Sequence, residues 1–295
     1  MPCVSGSGTT AYEHMKSTKK AYAKINLYLD VMAKREDGYH DIKSVMLQVG
    51  LYDEVTVERD GGVDIRLLDL CGELPDGEEN IAYRCADAFL RYYDLREGVT
   101  IRLKKRIPIA AGLGGGSSNA ASALLALRTL YAPALSDEKL ECMAAWLGSD
   151  VPFFIRGGTM HCTGRGERIA PLPPLTAGWF VIVKPPEGFS TPAMYRRLDE
   201  LPPEPARPDG MTAALESGDI RAVAAALYNS FERAVPPDSA VRAIEDALRV
   251  HGALAAMLSG SGSAVFGLFD REDTAHAAAG ALREHWSLTF VARPV

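Results

Sequence analysis

Apolar and polar residues alternate without a break over residues 21–31. Ala21, Ala23, Ile25, Leu27, Leu29 and Val31 fall on one face, and Tyr22, Lys24, Asn26, Tyr28 and Asp30 on the other. A period of two sustained that long predicts a half-buried strand, and it sets Lys24 and Asn26 side by side on the polar surface. Shorter segments at 44–49, 54–58, 63–67 and 99–103 also have strand character. Helical periodicity follows: Asn80 stands as an N-cap before a helix with Ile81, Cys85, Ala88, Phe89 and Tyr92 on its inner face. A second helix is expected from about residue 117 to 131, stopped by Pro133. A third follows Ser136, with Asp137 and Glu138 at the positive end of its dipole, and ends at Gly148. Residues 151–155 and 159–162 then read as strands around Gly157 and Gly158.

Prolines cluster at Pro171, Pro173 and Pro174, and again at Pro202, Pro203, Pro205 and Pro208. Helices and central strands both reject proline, so the first cluster marks the expected boundary between a domain at 21–172 and another at 173–295. Beyond it come a strand at 179–183, helices at 211–216, 220–235 and 240–251, strands at 255–258 and 264–269, a helix at 273–285 and a strand at 288–292. With the extra helices set aside, the order is βαββαβ, the split arrangement of ferredoxin-like domains. The chain is therefore expected to be α+β. Residues 1–20 are polar and lack the apolar stretch of a secretory signal; they read as a disordered leader or an extended start.

Composition narrows the function. The 295 residues are 47% hydrophobic and 24% charged, with a net charge of −6, ordinary for a globular protein. The longest basic stretch is Lys104-Lys105-Arg106, which disfavours a nucleic-acid surface. No apolar run approaches the roughly 18 residues of a membrane span. The five cysteines are odd in number and scattered without a CxxC pair, which argues against a disulfide framework and a zinc site. A reducing cytoplasm fits best.

The sharpest chemical feature is the stretch from Pro108 through Ile109, Ala110, Ala111, Gly112, Leu113, Gly114, Gly115, Gly116, Ser117 and Ser118 to Asn119. Four glycines in five residues allow a close backbone approach to a ligand, and the helix that follows aims unpaired N–H groups at whatever sits there. Ser117 and Ser118 add hydroxyls for the helix cap, for phosphate oxygens or for Mg²⁺. The pattern lacks the Lys-Ser/Thr pair of the common P-loop and the spacing of the dinucleotide fingerprint. A plain flexible turn is the alternative. Asp150, after a helix end and before Pro152, is either a stiffly held base or an ordinary cap; Pro152 biases Val151 toward an extended conformation. The segment from Leu258 to Ala264, rich in glycine and serine, is a second glycine turn or a simple hairpin. Lys24 and Asn26 alone would pass for a solvated face.

Together these segments resemble the kinases named after galactokinase, homoserine kinase, mevalonate kinase and phosphomevalonate kinase (GHMP kinases). An early strand, a phosphate loop of the PxxxGLGGSS type and a late glycine turn appear in the family's order. The run from Ala21 through Asp37-Gly38-Tyr39-His40, the loop, and the stretch from Gly148 to Phe154 are similar to the branch that acts on a cytidine diphosphate derivative of methylerythritol, over nearly the whole chain after residue 20. The resemblance implies a two-domain fold with a ribosomal-protein-S5-like first domain, ATP and Mg²⁺ as cofactors, and a small-molecule acceptor. It implies Asp150 as the catalytic aspartate with Lys24 beside it, and Asn26 close to the reacting hydroxyl. Pro108, Ala110, Gly112, Leu113, Gly114, Gly115, Gly116, Ser117 and Ser118 match the ATP loop. Tyr39, His40, Thr191 and Tyr195 match positions around the cytosine. A homoserine- or mevalonate-type kinase of the same family is the nearest rival, and a module that binds nucleotide without catalysis is a more distant one. The sequence leaves monomer and homodimer open.

Overall fold

The computed structural model describes residues 15–72, 74–75, 77–202, 204 and 209–295. Residues 1–14 of the expected leader, with Pro203, Pro205 and Pro208, lie outside the described residues. Strand β1 (Lys16–Lys34) begins inside that leader, so residues 16–20 are sheet. It pairs antiparallel with β2 (His40–Arg59), which joins the segments expected at 44–49 and 54–58 into one strand. Tyr22 faces Tyr52 but Ala23 faces Val49, a bulge that re-aims β1. Ala21 therefore packs in one core, whereas Ala23, Ile25 and Leu27 pack in another. The expected polar face is covered too: Lys24 is 4% exposed and Asn26 1%. That face is the floor of a cleft, not a solvated surface.

Next come β3 (Ile65–Asp69), α1 (Ile81–Tyr92), β4 (Val99–Lys104), α2 (Gly115–Tyr131) and α3 (Asp137–Leu147). Asn80 does cap α1, its side-chain oxygen accepting from the Ala82 N–H at 2.9 Å, and Cys85 and Phe89 are buried. Tyr92, expected inside, is 70% exposed, and Leu90 fills the inner position instead. Residues 151–155, expected as a strand, form helix α4 (Val151–Arg156). Pro152 sits in the first turn of that helix, where its missing N–H costs nothing. Strands β5 (Thr159–Gly164) and β6 (Arg168–Pro171) complete this part. The strand order is β3-β4-β2-β1, with β5 on a second stretch of β2 and β6 on β5.

The second sheet is built from β7 (Trp179–Val183) and three later strands. Between them lie α5 (Thr191–Asp199), which the sequence reading did not foresee, α6 (Met211–Ser217) and α7 (Ile220–Ala225). The single helix expected at 220–235 is broken. After α7 the chain forms a short strand, β8 (Tyr228–Asn229), parallel to β1, and then a 3₁₀ turn at Ser230–Ala234. Asn229 dictates the break: its side-chain oxygen accepts from Phe231 N–H, and its amide donates to the carbonyls of Leu258 and Gly260. Helix α8 (Val241–Val250), β9 (Ala255–Leu258), β10 (Val265–Phe269), α9 (Glu272–Arg283) and β11 (Thr289–Ala292) follow. The order β11-β7-β10-β9, antiparallel throughout, is that of the split βαββαβ arrangement.

The layers run helix, sheet, sheet, helix. Helices α1, α2 and α3 cover one face of the first sheet. Its other face, through Ile25, Leu27 and Leu47, packs on Phe180, Ile182 and Phe266 of the second. Helices α8 and α9 cover the far side. The boundary drawn at 172/173 falls between β6 and β7, yet the middle core takes residues from both sides of it. Burial on that scale holds the two halves in one fixed relation.

Candidate active site

Residues 105–114 link β4 to α2 and open into a cleft of about 550 Å³. Gly114, at φ 69°, is the cap of α2, and no side chain caps the helix start. The first amides of a 17-residue helix are thus bare and carry the positive end of its dipole, an arrangement built for an anion. A Cβ on Gly114 would lie 2.6 Å from Phe154 Cζ, and one on Gly112 would lie 2.0 Å from the Ser259 carbonyl oxygen. Close packing as well as conformation therefore demands glycine. Pro108, Ala110, Gly112, Leu113, Gly114, Gly115, Gly116 and Ser117 all line the cleft. Ser118 does not; it is 1% exposed and faces the interior.

The late glycine turn closes this loop from the other sheet. Ser259 Oγ donates to the Gly112 carbonyl at 3.1 Å, and Ala264 N–H donates to the Ala111 carbonyl at 3.0 Å. Gly260 and Ser261 line the cleft beside them. A Cβ on Gly260 would fall 2.9 Å from the Lys24 ammonium, so the turn reaches the floor of the site.

On that floor, Lys24 N–H donates to the Leu113 carbonyl at 3.0 Å, tying β1 to the loop. Its ammonium donates to Asn26 Oδ1, Asn26 Nδ2 donates to Ser44 Oγ at 2.8 Å, and Ser44 Oγ donates to the Tyr28 carbonyl at 2.8 Å. This chain fixes the orientation of the Asn26 amide. Asp150 precedes α4 and lines the same cleft, and its carboxylate makes no hydrogen bond or ion pair among the described residues. Burial pulls the Lys24 pKa down, and the negative charge of Asp150 opposes the shift. Burial, with the same charge, pushes the Tyr195 hydroxyl up to about 12 and raises the Cys162 thiol. The field of Asp150 therefore reaches across the cleft.

Tyr39, Thr191, Tyr195, Phe231 and Arg165 also line the cleft. The Arg165 guanidinium lies over the Tyr39 ring, 4.7 Å from its centre. Tyr195 stacks on His40 with ring centres 4.8 Å apart and planes 13° apart, and Phe231 braces it edge-on at 4.9 Å. Thr191 Oγ1 is 2.8 Å from Ser261 Oγ. His40, 8% exposed, does not itself line the cleft; it stacks on Tyr195, which does.

Several groups here escaped the sequence reading. Lys105 lines the cleft at the foot of the loop, its ammonium donating to buried Asp53 and, at 3.0 Å, to Asn119. Its place in the three-residue basic run just before the glycines was the available signal. Arg165 had none, because it meets Tyr39 only through the pairing of β5 with β2. Asp199, whose carboxylate holds His40, lies 159 residues from it.

A bare helix start facing a lysine and an aspartate across one cleft, on paired sheets with a ferredoxin-like second half, is the layout of a small-molecule phosphotransferase. Residues 80–158 match the family described as GHMP kinases N terminal domain, and residues 211–288 the one described as GHMP kinases C terminal. The chain belongs to the GHMP kinases. It is 43% identical over 267 residues to the 4-diphosphocytidyl-2-C-methyl-D-erythritol kinase of Shouchella clausii, covering 88% of this chain and 87% of that protein. It is 42% identical over 284 residues to the kinase of the same name from Heliobacterium modesticaldum, covering 90% of each. A crystal structure of 4-(cytidine 5'-diphospho)-2C-methyl-D-erythritol kinase superposes with a TM-score of 0.79 at 36% identity, covering 94% of this chain and 99% of that one. The homoserine kinase of Cytophaga hutchinsonii has a TM-score of 0.75 at 18% identity, over 97% and 96% of the two chains, and shares the fold.

Proposed function

We propose that this chain is an ATP-dependent kinase that phosphorylates the 2-hydroxyl of 4-diphosphocytidyl-2-C-methyl-D-erythritol, in the synthesis of isoprenoid precursors. One observation carries the reading: the bare start of α2, Lys24, Asp150 and the aromatic rings of Tyr39 and Tyr195 line a single cleft. Relatives at 43% and 42% identity bear the name of that kinase. The rival of homoserine type rests on an 18% identical neighbour, which speaks for the fold alone.

In this reading the amides of Gly114, Gly115 and Gly116, with the Ser117 hydroxyl, hold the phosphates of ATP. The Lys105 ammonium lies at the same helix start, 3.3 Å from the Cβ position of Gly115, and adds positive charge. Mg²⁺ bound to the phosphates would neutralise their charge. The described residues offer no cluster of three metal-ligating side chains, so Ser117 and Asp150, both lining the cleft, would be the residues to hold the ion beside the phosphates. Phosphoryl transfer has a loose transition state, and positioning with charge stabilisation does most of the work. Asp150 takes the proton of the acceptor hydroxyl as that oxygen bonds to the γ-phosphorus and ADP departs. The Lys24 ammonium, in the same cleft, stabilises charge developing on the transferred group. Asn26, locked by Ser44, orients the hydroxyl. Tyr39, His40, Thr191 and Tyr195 hold the cytidine end, where ring stacking and a polar ring edge suit a pyrimidine. The reading puts the enzyme in the cytoplasm, in keeping with the unpaired Cys71, Cys85, Cys142 and Cys162, and takes 172/173 as the division between its two domains.

The test is transfer of labelled phosphate from ATP to a panel of acceptors. Product from the cytidylyl acceptor, with none from homoserine or mevalonate, is the expected result. Turnover of homoserine or mevalonate in its place would overturn the assignment.

A further inference from the structure

Asp199 breaks a local rule that its surroundings repair. It closes α5, at the negative end of the helix dipole, where a carboxylate is unfavourable. Both of its oxygens are engaged from the first sheet. Oδ2 accepts from Lys34 Nζ at 2.8 Å, and Oδ1 is paired with His40 Nε2 at 2.7 Å. The Lys34 bond, helped by His40, holds the carboxyl below its usual range despite some desolvation. Asp199 is thus an anion that accepts hydrogen bonds and donates none. The hydrogen between the two groups must then sit on Nε2, and Nδ1 has no protein partner among the described residues.

The ring is held in other ways as well. Tyr195 lies flat against it, and Phe231 braces Tyr195. Thr191, Tyr195 and Asp199 recur every fourth residue on α5 and so share one stripe, of which Thr191 and Tyr195 line the cleft. The stripe joins the late glycine turn, the stacking ring and the carboxylate in one rigid helix.

We propose that Asp199 is a positioning residue: it fixes His40 as the Nε2–H tautomer and so leaves Nδ1 as an acceptor for the exocyclic amino group of cytosine. This rests on the reading that the acceptor substrate carries cytidine. Uracil presents a carbonyl oxygen where cytosine has its amino group, and two acceptors cannot bond each other. Asp199 thereby sets the choice of base without touching it.

The experiment compares kcat and KM for the cytidine form of the acceptor and its uridine analogue, in the wild-type enzyme and in Asp199→Asn. The asparagine can turn its amide toward Nε2, which moves the ring hydrogen to Nδ1. The preference for cytidine should fall by about tenfold, the worth of one hydrogen bond, through KM for the acceptor and with KM for ATP unchanged. An unaltered preference would overturn the proposal. A long-range ¹H–¹⁵N spectrum of the wild-type imidazole decides the matter even if the variant does not fold. Hydrogen on Nε2 and none on Nδ1 is expected, and hydrogen on Nδ1 would overturn the proposal. A wild-type enzyme that phosphorylates neither form would instead defeat the parent reading, and this inference with it.

Discussion

Replacing Gly112 by alanine probes the seam between the phosphate loop and the late glycine turn. At φ 74° an alanine pays a conformational penalty of about 1–2 kcal/mol. Its Cβ would lie 2.0 Å from the Ser259 carbonyl oxygen, which is backbone and cannot swing aside. Ordinary contact begins near 3.4 Å, so the two segments must part by more than an ångström. Parting them lengthens both hydrogen bonds across the seam, from Ser259 Oγ and from Ala264 N–H. Ala264 is fully buried, and leaving its N–H unpaired costs about 1–3 kcal/mol. The sum is roughly 2–5 kcal/mol, and at about 2–4 °C per kcal/mol the melting temperature should fall by roughly 10 °C. KM for ATP should rise in parallel, because the amides of the loop lose their register. Gly280→Ala, inside α9 and away from the cleft, is the control: its Cβ would meet nothing within 4 Å, and alanine favours a helix. Thermal unfolding and ATP titration of both variants check the reasoning. A Gly112→Ala protein that melts with the wild type and keeps its KM would refute it.

Tyr39→Ala should raise KM for the cytidylyl acceptor and leave KM for ATP alone, because Tyr39 belongs to the part of the cleft assigned to cytidine; equal losses on both substrates, measured by initial rates, would contradict the assignment. Glu245 on α8 is 2% exposed, and burial, with repulsion from Glu232 outweighing Arg242 and Arg249, pushes its pKa up to about 8. An acid whose folded pKa is raised binds more protons folded than unfolded, so stability falls as pH rises from about 4.3 toward 8, by at most about 1.4 kcal/mol per pH unit. Glu245→Gln should flatten that slope in chemical denaturation across pH 5–8; a slope parallel to that of the wild type would count against the buried pair.

The alternation at 21–31 and the glycine run before α2 were legible because each is a local signal with one structural solution. The ferredoxin-like order was legible from strand and helix sequence alone. What escaped depends on partners distant in the chain. The Val151–Ile155 run is apolar on every side, so periodicity could not separate a buried helix from a strand, and Pro152 suits a helix start as well as an extended chain. The break after Ala225 follows from Asn229 bonding to Leu258 and Gly260, contacts with no trace in local propensity. The polar face of β1 read as a surface because nothing nearby in sequence reveals the turn at Gly260 that covers Lys24. Asp199 and Arg165 entered the site for the same reason, through tertiary contact.

Asp150→Asn tests the central claim most directly, because it removes a proton acceptor while keeping size and the cleft intact. Rapid-mixing measurement of phosphate transfer from ATP to the cytidylyl acceptor should show turnover reduced by roughly 10²–10⁴-fold, with ATP affinity by direct titration unchanged. Turnover close to that of the wild type would remove Asp150 from the chemistry, and the account of the cleft with it.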